Sequence, residues 1–397
     1  MDLPLIPQEG DVTATAAEPG ASGSTPTVTT AAVHEPSQTA GHVGVQQALD
    51  RAVNTLGAPG IVAEIREGHT RWFGSAGVSD TRTARPRQPD ERFRIGSATK
   101  AFTATVVLHL AGDGQVSLDD TVERWLPGLV QSNHYDGRTI TVRQLLNQTS
   151  GLFNYVQDPS FAANGAGSAW FEHRYDHYTP EQLVKIALTH PPTSSPGERF
   201  MYSNTNYVLA AMIVERVTGE PFGEELDRRI IRPLGLTGTY LPGDEPDIRG
   251  PHPVHYSTLF SQDPNPTIHD ATEMSQAFAW SAGGMVSTTA DLNRFFSALL
   301  GGRILPASQL SQMLTTVSTD GAGWIPNTRY GLGIFAQTLT CGTTVWGNGG
   351  ATFGSWAYAM GTRDGSHMVA SQINGDWSGL SAFNDILDAQ FCPATPS

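Results

Sequence analysis

The sequence predicts an α+β fold: strands from both ends of the chain build one antiparallel sheet flanked by helices, and a mostly helical region is inserted between them. Short β runs follow residue 60, helical patterns with clear start and stop signals fill the middle, and successive β runs crowd the stretch beyond Thr328. A chain of 397 residues with 39% hydrophobic content can bury one large core or two smaller ones.

Residues 1–42 are rich in Thr, Ala, Pro, Gly and Ser and nearly free of aromatics, which predicts a disordered arm. A helix is predicted near Val45 to Leu56, with Val45, Leu49, Val53 and Leu56 on one face and Ala58-Pro59-Gly60 ending it. A hairpin follows, Ile61 to Arg66 and Arg71 to Ala76 around the turn residues Glu67-Gly68-His69. The run from Ala98 to Ala111 is helical and stops at Gly112-Asp113-Gly114, so Ser97 sits at or just before a helix start.

Further along, Thr179-Pro180-Glu181-Gln182 has the form of a capping box and opens a helix through Ala187. Thr205 to Thr218, closed by Gly219, and Thr289 to Leu300, closed by Gly301-Gly302, are two more helices. Tyr330 to Thr338, Gly342 to Trp346, Ser355 to Met360 and Met368 to Asn374 read as antiparallel strands, with a helix near Leu380 to Phe391. The expected organisation is one catalytic domain over residues 43–393. Its sheet lobe is about 43–95 with 285–393, its helical lobe about 96–284, and the cleft between them is the natural place for a site.

A formal charge of −14 argues against nucleic acid or an anionic membrane face as partner. The longest apolar stretches, such as Tyr207 to Val214, fall short of the roughly 20 residues a spanning helix needs. Only Leu3, Leu5 and Ile6 interrupt a polar start, so the chain as written shows no export signal and reads as cytoplasmic. Cys341 and Cys392 pull the other way: a solitary pair is either one disulfide of an exported protein or two buried thiols. His252 and His255 share a loop with Pro251 and Pro253, but no Cys or carboxylate completes a ligand set. They read as solvated loop histidines, and neither a metal nor a cofactor is expected.

Chemistry concentrates in three groups. A serine hydroxyl needs a base within hydrogen-bond reach and donors for the oxyanion formed on attack. Lys100 lies three residues beyond Ser97, on the same face of the helix start, where the positive end of the helix favours a neutral amine. The chain has 22 arginines and only two lysines, and arginine cannot deprotonate, so a lysine here is what base chemistry requires. Tyr202-Ser203-Asn204 offers a phenol to relay a proton and an amide to grip a substrate carbonyl, or else a packed loop tyrosine followed by helix caps. Trp346-Gly347-Asn348-Gly349-Gly350 offers an edge strand that a substrate can approach closely, or else a Gly-rich turn.

Ordered Ser-x-x-Lys, Tyr-x-Asn and a Gly-bearing strand triad resemble the serine β-lactamase and DD-peptidase superfamily, most closely the secreted DD-carboxypeptidase/transpeptidase group of the class C branch. The resemblance runs from Val45 to Cys392. It includes Phe93-Arg94-Ile95-Gly96-Ser97, Thr141-Val142-Arg143-Gln144-Leu145-Leu146, Thr149-Ser150-Gly151-Leu152, Tyr202-Ser203-Asn204-Thr205-Asn206 and Ser281-Ala282-Gly283-Gly284. It implies a β-lactamase/transpeptidase-like fold, with Ser97 as acylated nucleophile, Lys100 as base, Tyr202 as proton relay and Asn204 as carbonyl ligand. It also implies an oxyanion hole from the N–H groups of Ser97 and Ala351, and a Cys341–Cys392 disulfide.

Two departures stand out. Asn348, Gly349 and Gly350 replace the family's His or Lys, Thr or Ser, and Gly, and Phe335, Ala336 and Gln337 stand where the DD-peptidase has an arginine cluster. A substrate carboxylate loses charge-assisted bonds worth about 1.5–3 kcal/mol each. Asn348, Gly349, Gly350, Ala351 and Gln337 are thus expected to bind a neutral leaving group. The reading is a serine acyl-enzyme hydrolase acting on a small-molecule or peptide amide or ester through acyl-Ser97. The alternatives are a transacylase passing the acyl group to an amine in antibiotic biosynthesis and a non-catalytic penicillin-binding homologue.

Overall fold

A computed structural model describes residues 42–132 and 134–392. The arm expected over residues 1–42 lies outside them, His42 apart.

The chain begins with helix α1 (Val43–Asn54), which buries Val45, Ala48, Leu49 and Ala52. Strands β1 (Gly60–Glu67), β2 (Thr70–Asp80) and β3 (Arg85–Pro86) follow. The β1–β2 hairpin closes through Gly68-His69, with Glu67 opposite Thr70. After helix α2 (Thr99–Gly112) come α3 (Pro180–Leu188), opened by a capping box at Thr179, α4 (Thr205–Thr218), ended by Gly219 in the left-handed conformation, and α5 (Thr289–Leu300). The remaining strands of the main sheet are β4 (Val317–Ser318), β5 (Thr328–Tyr330), β6 (Phe335–Thr338), β7 (Thr344–Thr352), β8 (Ser355–Gly361) and β9 (His367–Ile373), and α6 (Ser381–Phe391) follows.

The nine strands form one sheet in the order β3-β2-β1-β9-β8-β7-β6-β5-β4, so the two ends of the chain meet where β1 pairs with β9, Ile61 opposite Ile373. Each strand's alternation sorts its side chains between two cores. Trp356, Tyr358 and Met360 of β8 face one layer with α1 and α6; Ala357 and Ala359 face the other, with α2, α4 and α5. A third, small cluster gathers Trp170, Leu259, Ala271, Met274 and Phe353.

Two strands differ from the sequence reading. The run from Tyr330 to Thr338 is broken at residues 331–334, because the segment dives onto the helices: the Gly333 N–H donates to the Leu146 carbonyl, and a Cβ on Gly333 would lie 2.5 Å from Ala104. The strand expected to end at Trp346 continues to Thr352, so the Gly-rich run is strand, not turn. The solvated-loop reading also fails for His255, which is fully buried beside the Arg94 guanidinium. Thr272 and Ala271 cover it, the His255 N–H donating to Thr272 Oγ1 and its carbonyl accepting from the Ala271 N–H. Cys341, in the β6–β7 turn, and Cys392, just past α6, form a disulfide with Cα atoms 5.7 Å apart. No described helix is long and apolar enough to cross a membrane.

Candidate active site

Ser97 sits in the turn Gly96–Ala98, immediately before α2. Gly96 has φ +50°, a conformation a side chain would resist, and a Cβ there would lie 2.7 Å from the Ala351 carbonyl oxygen. A Cβ on Gly350 would lie 2.0 Å from the Ser97 nitrogen. These two glycines therefore allow β7 to run against the serine turn. The pairing of β7 explains why the strand is open there: residues 344–347 pair with β6, whereas 348–352 pair with β8 alone. The expected edge is half of a strand, and it is the half that faces Ser97.

Lys100 is completely buried. Its Nζ lies 3.0 Å from Ser97 Oγ, 2.6 Å from Asn204 Oδ1 and 2.8 Å from the Ala282 carbonyl oxygen. Burial drives its pKa well below the ordinary lysine value, so the amine is favoured in its neutral form. A neutral amine has two N–H bonds and one lone pair. Asn204 Oδ1 and the Ala282 carbonyl can only accept, and they take both N–H bonds. The lone pair is left for the Ser97 hydroxyl proton, which is the orientation a general base requires.

Tyr202 completes the group, its phenol donating to Ser97 Oγ at 2.6 Å. Its pKa is raised well above the ordinary tyrosine value, chiefly by burial, with Tyr330 adding to the effect. The resting residue is thus a phenol and not a tyrosinate. Its ring stacks on Trp324 at 4.5 Å, which fixes the direction of the hydroxyl.

Asn204 precedes α4 but makes no capping bond with its side chain, which reaches Lys100 instead. Its backbone N–H donates to Asn154 Oδ1 at 3.0 Å, and the Ser203 N–H donates to Gln148 Oε1 at 3.0 Å. Gln148 Oε1 also accepts from Asn206 Nδ2. Gln148 holds φ +63°, so a strained residue anchors the loop carrying Tyr202. Gln148, Asn154, Ala282 and Trp324 were not singled out by sequence reasoning. Ala282 lay inside a quoted framework run and Gln148 just before another, but a backbone carbonyl or an anchoring amide leaves no signature of its own.

Ser97 opens onto two hollows. The larger, about 130 Å³, is lined by Ser97, Asn204, Ala351 and an aromatic group that includes Tyr155, Phe161, Trp170 and Phe353. The smaller, about 20 Å³, holds Gly349, Gly350 and Ala351 with Tyr202, Trp324 and Tyr358. Asn348 and Gln337 line neither. The Asn348 amide donates to the Gly333 carbonyl at 2.7 Å, tying β7 to the β5–β6 turn. Gln337 accepts from the Tyr358 hydroxyl at 2.7 Å and donates to Asn384 Oδ1 at 2.9 Å. Among the described residues no group of three or more His, Cys, Asp or Glu side chains is placed to hold a metal ion.

Known proteins are similar to this chain in sequence and in overall structure. The sequence profile of the family described as Beta-lactamase matches residues 45–390. The chain is 27% identical over 284 residues to the putative penicillin-binding protein PbpX of Bacillus subtilis (strain 168), covering 70% of this chain and 64% of that protein. It is 33% identical over 210 residues to the esterase EstB of Burkholderia gladioli, covering 51% and 50%. It thus spans less than two thirds of the length of these curated relatives. Among solved structures, a D-stereospecific amidohydrolase from Streptomyces sp. superposes with a TM-score of 0.83 at 46% identity, covering 89% of this chain and 99% of that one. The D-amino acid amidase from Ochrobactrum anthropi SV3 gives a TM-score of 0.73 at 26% identity, covering 87% and 97%.

Proposed function

The chain belongs to the beta-lactamase family, and from that premise we propose that it is a D-stereospecific amidase with esterase capacity, working through acyl-Ser97 on substrates whose acyl group is apolar. The observation that carries this is the hydrogen-bond chain from Tyr202 through Ser97 to a buried Lys100. A non-catalytic homologue has no need to hold an uncharged lysine against a serine at the cost of burying it.

In the proposed reaction Ser97 Oγ attacks the substrate carbonyl while its proton passes to the Lys100 lone pair. The N–H groups of Ser97 and Ala351 receive the oxyanion. The C–N or C–O bond then breaks, and the leaving atom takes a proton through the Tyr202 phenol, which the proton held at Lys100 replaces. Water attacks acyl-Ser97 with the same groups acting in reverse, returning the serine. Asn204, held by Lys100, also lines the larger hollow, in reach of the acyl side of the substrate.

The larger hollow fits an apolar acyl group, since its surface is mainly apolar and carries the rings of Tyr155, Phe161, Trp170 and Phe353, with His173, Arg174 and Asp176 also in its lining. The preference for the D configuration is supported by the 46% identical Streptomyces enzyme, whose match extends over nearly its full length. The expected outcome is release of ammonia from D-phenylalaninamide at least about 10-fold faster than from the L enantiomer, and none with Ser97→Ala. Equal rates for the two enantiomers would overturn the D assignment.

A further inference from the structure

We propose that Tyr358 sets the leaving-group specificity: its ring covers Gly349 and makes this side of the site an uncharged slot closed to a terminal carboxylate. This deepens the proposed function and rests on it. Tyr358 belongs to β8, directly opposite Gly349 of β7. A Cβ on Gly349 would lie 2.1 Å from one ring carbon of Tyr358 and 2.5 Å from the next. The ring therefore occupies the space that any side chain at position 349 would need. Gly349 is in this sense the consequence of Tyr358, and the hydroxyl that the resemblance leads one to expect there has no room.

The ring is held at its hydroxyl and at its face. Its hydroxyl donates to Gln337 Oε1, whose amide donates in turn to Asn384 of α6. Its face stacks on Phe383 at 5.3 Å and 21°. Tyr358 is 2% exposed and so has little freedom to swing aside. The other walls of the smaller hollow are Tyr202, Trp324, Ile325, Trp356 and Leu380, with backbone from β7 and the serine turn, and none of them carries a charge. A carboxylate placed here would lose water and gain no cation, whereas a carboxamide, an aryl amine or an alcohol would lose far less. Gln337, the hydrogen-bond partner of the ring's hydroxyl, is already engaged by Tyr358 and Asn384.

The test compares two substrates that differ only in the charge of the leaving group, D-phenylalanyl-D-alaninamide and D-phenylalanyl-D-alanine. Rates are expressed per Ser97 labelled by a fluorophosphonate, so that only folded, competent enzyme is counted. The wild type is expected to favour the amide by about 10–100-fold in kcat/KM. Tyr358→Phe, which keeps the ring, should preserve that ratio. Tyr358→Ala, which admits water over Gly349, should narrow it at least fivefold by the same reasoning. Should Tyr358→Ala give no labelled enzyme, Tyr358→Leu and Gly349→Ala serve instead: the first removes the ring, the second forces it off the strand, and each should narrow the ratio. Equal cleavage of the two substrates by the wild type, cleavage of neither by an enzyme that does cleave D-phenylalaninamide, or an unchanged ratio in the labelled ring variants would overturn the inference. Failure to cleave D-phenylalaninamide at all would instead overturn the proposed function.

Discussion

Lys100 is buried and Tyr202 half-buried, and desolvation pushes their pKa values in opposite directions, each toward its neutral form. Two neutral partners on one serine oxygen give a single consistent proton arrangement: phenol to Oγ, hydroxyl to amine, amine to Asn204 and Ala282. The pH dependence follows from the signs. Lys100 is competent when deprotonated, so kcat/KM should rise as pH rises through its lowered pKa and then level off. Tyr202 stays a phenol beyond the ordinary tyrosine range, so its ionisation should impose no fall near pH 10. A descending limb there that disappears in Tyr202→Phe would contradict the assignment. Lys100→Arg replaces the neutral amine with a permanently charged guanidinium that has no lone pair to offer, and should lower kcat/KM by about 10²–10⁴-fold. The same lysine works against stability. Between its lowered folded pKa and the ordinary value of 10.5 the unfolded chain binds a proton that the folded chain does not, so this contribution to stability increases with pH across that window.

At the scale of elements, β7 is the working part of the sheet. Its first half is an interior strand, and its second half, freed where β6 ends, is the wall of the site. The sequence reading found the Gly-rich run but could not choose between strand and turn, because glycines lack the side chains whose alternation marks a strand. It placed α1 and α6 to within about two residues, and α3, α4 and α5, each punctuated by a capping pair or a terminal glycine, to within one. It merged β5 and β6, because the intervening Gly331-Leu332-Gly333 is apolar enough to pass for strand and its docking onto Leu146 and Ala104 is a tertiary contact. The disulfide closes the β6–β7 turn against α6, 51 residues apart in sequence. Replacing both cysteines by serine should lower the unfolding free energy by about 2–4 kcal/mol. Fluorophosphonate labelling of Ser97 should persist at 25 °C, since the serine turn meets the far end of β7. An unchanged denaturation midpoint, or loss of labelling without loss of stability, would show that the bond acts otherwise.

For the whole molecule, the sheet's order explains how distant segments make one site. β1 pairs with β9 and β7 lies two strands further on, so the serine turn after the N-terminal hairpin and the open half-strand near the other end converge, while the loop leading into α4, from the middle of the chain, brings Tyr202 and Asn204. Ser97, Lys100, Tyr202 and Asn204 were legible because chemistry restricts which residue types can fill those places. Tyr358 was not, because its influence passes through the space it denies to Gly349, and Gln148 and Asn154 were not, because they act on the backbone of other residues. The account stands on acylation of one serine. Its most direct test is intact-protein and peptide mass spectrometry after rapid quenching of the enzyme with a D-phenylalanine ester. The expected result is one added acyl group on the peptide containing Ser97 in the wild type and none in Ser97→Ala; an adduct elsewhere, or one that persists in Ser97→Ala, would contradict it.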